Sequence, residues 1–159
     1  MNRTAVLGFG NPVRSDDAVG CYVIEKLKEA GLDTSEVSLI DMGTSSFEVL
    51  FELQGHDRLI LVDGTINSGE KPGTLYKLPA QEVMASIQDD PMVFLHSLKW
   101  DQALSYAKKI LRDEFPEDIQ VYLVAIDNIK LEVGMSEEVK SAGMEVYQHI
   151  MDDLSVTLA

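Results

Sequence analysis

The stretch LGFGNPVRSDDAVG, Leu7–Gly20, ends an apolar run on a glycine turn and then passes through two adjacent aspartates into a helical pattern. A branched apolar run that stops at glycine and feeds a helix reads as the first βα unit of an alternating fold. Gly8 and Gly10 satisfy only the opening of the dinucleotide fingerprint GxGxxG, because position 13 is Val13. A phosphate-binding loop would also keep itself free of negative charge, whereas this one carries Asp16 and Asp17. A nucleotide is therefore not the expected ligand.

Outward from this unit, short runs rich in branched residues recur. Thr4–Gly8, Val37–Ile40, Leu59–Val62 and Val121–Ile126 each stop at or just before Gly or Asp, as buried strands do. Between them lie sets with helical spacing: Val19, Val23, Ile24 and Leu27; Phe47, Leu50 and Phe51; Leu98, Ala103, Ala107, Ile110 and Leu111; and Val139, Ala142, Val146, Ile150 and Leu154. Cap signals agree: Gly31 follows the first helical set, Ser45 with Glu48 has capping-box spacing, and Ser136 precedes the last set. The segment Gly73–Pro79, bounded by Pro72 and Pro79, predicts an antiparallel edge strand. The expected architecture is α/β: three layers, with a mostly parallel twisted sheet, helices on both faces and one antiparallel edge strand. Its 159 residues predict a single domain, 1–159, with no linker or repeat.

Composition narrows the partners. The net charge of −14, with no Lys/Arg cluster, leaves nothing to attract phosphate, so nucleic acid is not an expected partner. The N-terminal MNRTAVLGFGN has only a short apolar run broken by glycines, and the chain lacks about 18 consecutive apolar residues, so neither a signal peptide nor a membrane span is expected. The lone Cys21 can form no internal disulfide and supplies no zinc-ligand spacing. A cytoplasmic, monomeric protein is the expectation.

Parallel strands share one carboxyl edge, and ligands bind in the crevice beyond it. Here that edge receives Asp16 and Asp17, Asp41, Asp63 and Asp127. Each has a structural role open to it: Asp16 could cap the first helix, and Asp41 and Asp63 stand close to glycines as turn aspartates do. Gathered in one crevice, however, carboxylates raise one another's pKa unless a cation or shared proton relieves them, which marks a functional arrangement. His96 stands at a helix start behind an apolar approach, and beside two carboxylates it would complete an O,O,N set suited to nickel or zinc. His56 and His149 read as solvated surface residues. No HExxH and no GxSxG motif occurs, and Cys21 reads as a small core residue more readily than as a nucleophile paired with His96.

Taken in order, Gly8–Asn11 with Asp16, Asp17 and Gly20, then Asp41–Thr44, Leu61–Asp63, His96–Leu98 and Gly134–Val139 resemble the hydrogenase maturation endopeptidases. That resemblance implies an aspartyl-type endopeptidase that removes a C-terminal extension from the large-subunit precursor of a nickel-iron hydrogenase. It also implies that Asp17, Asp63 and His96 contact a nickel ion carried by the precursor, and that Asp17 or Asp63 is a catalytic carboxylate. Two departures from the family pattern stand out: Ala18 replaces a glycine, and Glu137–Glu138 replaces a serine-proline helix start. The water could be activated by Asp17, by Asp63 or by a separate carboxylate such as Asp41. The rival reading is a non-catalytic nickel-binding maturation chaperone using the same three ligands.

Overall fold

The computed structural model describes residues 3–45, 49–53, 55–66, 68–82 and 100–158. Five strands form one sheet: β1 (Thr4–Phe9), β2 (Val37–Gly43), β3 (Arg58–Thr65), β4 (Leu75–Pro79) and β5 (Asp118–Ala125). Their spatial order is β2-β1-β3-β5-β4, parallel throughout except for the antiparallel edge pair β4–β5. Helices among the described residues include α1 (Val19–Glu29), α2 (Val49–Leu53), α3 (Trp100–Leu111) and α4 (Glu137–Leu158), with a 3-10 turn at Ser15–Ala18 leading into α1.

Alternation along the strands divides the core in two. Ala5, Leu7, Leu59, Leu61, Val121 and Leu123 pack with residues of α2 and α3 on one face. Val6, Ile60, Val62, Tyr122 and Val124 pack with α1 and α4 on the other. All four apolar residues expected on α1 and all five expected on α4 are buried. On α3 the buried stripe is Ala103, Leu104 and Ala107, with Leu111 partly buried. Ile110, expected on that stripe, is 71% exposed: it falls at the margin of the stripe, about 120° of rotation from Leu104, in the last turn of the helix. The expected contacts of Phe47, Leu50, Phe51 and Leu98, and the Ser45–Glu48 cap, fall outside the described side chains.

Helix α1 ends as its glycine predicts: the Gly31 N–H donates to Lys28 O and the Leu32 N–H to Leu27 O, while Leu27 and Leu32 share one apolar cluster. Among the described residues no helix is long and apolar enough to cross a membrane.

Candidate active site

Starting from β1, the chain crosses to β2 on one side and then to β3 on the other, so the strand order reverses direction between β1 and β3. Helices associated with these strands lie on opposite faces, and in such sheets the crevice opens at this point. Asp17 follows β1 and Asp63 lies near the end of β3, so two predicted site residues flank the reversal.

The glycines of the opening stretch set the depth of this crevice. A Cβ on Gly8 would lie 2.4 Å from the Gly20 carbonyl oxygen, and one on Gly20 would lie 2.3 Å from that of Phe9. Backbone-to-backbone contact of β1 and α1 therefore requires both glycines, a packing role that the incomplete fingerprint left open. Gly10 adopts φ +136°, and a Cβ there would meet the Asp17 carbonyl oxygen at 1.9 Å. That absent side chain lets the loop fold back until the Asp17 carboxylate accepts a hydrogen bond from the Asn11 N–H at 2.9 Å. Burial pushes Asp17 above the ordinary carboxylate range, although the Asn11 N–H and the nearby Arg14 cation pull the other way.

Asp63 is 6% exposed, and its Oδ1 accepts the Gly64 N–H at 2.8 Å. Asp41 lies within β2 beside a register shift and is exposed. Its Oδ1 accepts the Gly43 N–H at 2.9 Å and the Cys21 thiol at 3.1 Å. Cys21, expected in the core, is only half-buried, one turn into α1. Burial raises its thiol strongly, then the Asp41 hydrogen bond and charge, then the charges of Asp17 and Asp63. The thiol is thus held protonated, which removes it as a nucleophile at neutral pH. Of these three acids only Asp41 hydrogen-bonds the sulfur, while Asp17 and Asp63 act on it through their charge alone.

Asp16 corrects an expectation. It is 1% exposed and caps the last helix, not the first: its carboxylate accepts the Ser136 N–H at 2.7 Å and the Ser136 hydroxyl at 3.2 Å, immediately before α4. The carboxylate thereby faces a helix N-terminus. Ser15, at φ +51°, donates its hydroxyl to Gly134 O at 2.8 Å and its N–H to Glu132 O at 2.9 Å. These bonds hold a left-handed conformation that costs a non-glycine residue about 1 kcal/mol or more. Sequence spacing gave no signal for either tie, because the partners are some 120 residues apart.

His96 lies outside the described residues. Of the other histidines, His56 is part-buried, with ring nitrogens 2.8 Å from Glu52 O and 3.3 Å from Ser38 Oγ, so it is not the solvated residue expected. His149 is exposed and stacks on Tyr122. Asp127 lies beyond β5, exposed, and lines a hollow of about 460 Å³ with Asn128, Ile129 and Lys130. Among the described residues no three His, Cys, Asp or Glu side chains cluster closely enough to hold a metal ion.

Residues 21–153 match a family model described as hydrogenase maturation protease. The chain is 27% identical over 139 residues to the hydrogenase 2 maturation protease of Escherichia coli, covering 87% of this chain and 82% of that one. Its structure resembles that of the [NiFe] hydrogenase maturation protease HycI from Thermococcus kodakarensis, with a TM-score of 0.74 at 25% identity, covering 97% and 93% of the two chains. It also superimposes on the hydrogenase maturating endopeptidase HybD from Escherichia coli with a TM-score of 0.81, covering 98% and 93%; at 24% identity that likeness concerns the fold.

Proposed function

The chain belongs to the hydrogenase maturation protease family, and from that premise we propose that it removes the C-terminal extension of a nickel-iron hydrogenase large-subunit precursor once nickel has been inserted. The observation that carries this reading is the placement of Asp17 and Asp63 on either side of the β1/β3 reversal, with Asp41 of β2 hydrogen-bonded to Cys21 on α1. A crevice with those acids attracts a cation, and a precursor already holding nickel supplies one. In this reading Asp17, Asp63 and His96 contact the nickel of the substrate. A precursor without nickel lacks the attraction and binds poorly, so order of assembly is enforced as a difference in affinity.

Hydrolysis needs a group that takes a proton from water as it adds to the scissile carbonyl and returns one to the departing amine. Asp17 and Asp63 are the assigned catalytic carboxylates. A partly buried carboxyl with a raised pKa, as at Asp17, suits the returning half of that cycle better than a fully solvated one. The enzyme works as a cytoplasmic monomer, its charge of −14 opposing self-association.

The test is intact-mass measurement of purified precursor after incubation with the enzyme. Loss of a C-terminal peptide from nickel-loaded precursor alone is the expected result. Binding without shortening would establish the non-catalytic chaperone instead. Enzyme treated with chelator and desalted should still cut loaded precursor; loss of cleavage restored by zinc would make the ion the protease's own.

A further inference from the structure

Apolar side chains exposed by the fold collect in one place. Of the six large hydrophobic residues exposed among the described ones, Val13, Ile129, Leu131 and Val133 lie on two loops at the carboxyl end of the sheet. Val133 is 85% and Leu131 72% exposed, far beyond what packing against their own chain would leave. The two loops are one surface: Arg14 and Glu132 form an isolated parallel bridge, the Asp16 N–H donates to Asn128 O at 3.1 Å, and Ser15 holds Glu132 and Gly134. The hollow of about 460 Å³ opens beside Ile129.

Resting on the functional reading above, we propose that this patch is the docking surface for the folded body of the precursor, delivering its C-terminal segment to Asp17. Three observations select that occupant. The patch is continuous with the candidate site, since Val13 lies four residues before Asp17 in a segment closed by the Asp17 N–H to Arg14 O bond at 3.1 Å. A second copy of this chain would set one molecule of net charge −14 against another. An anionic lipid surface would find only Arg14 and Lys130 there, too few cations to hold it. A protein substrate also needs apolar anchors beside the acids, because specific recognition buries roughly 1,200 Å² or more around apolar anchors with a polar rim. Preformed loops keep the ordering cost of docking low.

The experiment compares wild-type protein with a Leu131→Ser/Val133→Ser variant and, as control, an Ile110→Ser/Met144→Ser variant that removes exposed apolar groups elsewhere. Precursor affinity is measured by biolayer interferometry and processing by intact mass. Affinity of the patch variant should fall, and its KM rise, by roughly 30-fold, with kcat retained at saturating precursor and the control unchanged. Wild-type affinity in the patch variant overturns the proposal, as does loss of a wild-type dimer in light scattering or of binding to vesicles containing phosphatidylserine. If wild type binds precursor without cutting it, the endopeptidase reading fails, while the affinity comparison still decides the patch. If wild type does not bind precursor, both fail.

Discussion

At the start of β3, Arg58 stands between two carboxylates: its Nε lies 3.2 Å from Asp118 Oδ2, and its other arm contacts Asp153 on α4. Near the end of the same strand, Asp63 joins Asp17 and Asp41 around Cys21, where negative fields add. At the amino end a single cation serves both acids and ties α4 to the sheet. The carboxyl end concentrates acids, strains Ser15 and leaves apolar side chains in solvent. Natural proteins give up stability in this way where function requires it. The expected consequence is a double dissociation for charged side chains: removing one at the amino end should cost stability and spare processing, and removing one at the carboxyl end the reverse, whereas a backbone change there should disturb both.

The largest effect should follow Asp63→Asn. With Asp63 in the catalytic role proposed above, its loss should slow processing at least about 100-fold with an unchanged circular dichroism spectrum. A rate within twofold of wild type would remove Asp63 from the chemistry. Next is Gly10→Ala, whose methyl group has no room against Asp17 O and whose φ of +136° disfavours any side chain. It should lower stability by roughly 2–3 kcal/mol and slow processing as well, measured by urea denaturation and intact mass. A stable, active Gly10→Ala protein would show that the loop can hold Asp17 without this close approach.

Arg58→Met probes the opposite end. Because Asp118 and Asp153 are 64% and 36% exposed, the loss should be only about 1 kcal/mol, lowering Tm by roughly 2–4 °C, and less in 1 M salt. The processing rate should not change; a slower rate would break the separation between the two ends. Smallest is Asp41→Asn, read through the thiol. Removing that hydrogen-bonded charge should bring Cys21 down toward its ordinary range, though burial, the larger cause, persists. Alkylation by iodoacetamide at pH 8 should quicken a few-fold. Unchanged alkylation would mean the field at the sulfur does not come from Asp41.

Run length and punctuation made the sheet legible: the short branched runs at Thr4–Gly8 and Leu59–Val62, stopped by Gly or Asp, stood apart from the 3.6-residue spacing of Val139 through Leu154. Strand ends then placed Asp17 and Asp63 on one edge. Interactions between distant segments were not legible. Asp16 beside the first helix read as its cap, while its partner Ser136 lies at the far end of the sequence. The Cys21–Asp41 contact depends on how α1 lies against β2, and the Gly8–Gly20 contact on how it lies against β1. Leu131 and Val133 carry no periodic signal because their loop belongs to no helix or strand.

The claim that the carboxyl end exchanges stability for function is tested most directly by Asp17→Asn, with thermal denaturation and precursor processing measured on one preparation. Asp17 is raised in the folded protein, so from the ordinary carboxylate range upward the unfolded chain releases this proton first. Stability from this group is therefore fully present at low pH and is lost as pH rises through the raised value. Asparagine, which can still accept the Asn11 N–H, carries no such penalty. The account predicts a Tm at pH 7 equal to or above wild type, an advantage that shrinks toward about pH 3.5, and no C-terminal peptide released from nickel-loaded precursor. Release of that peptide at the wild-type rate, or a Tm well below wild type at pH 7, would contradict it.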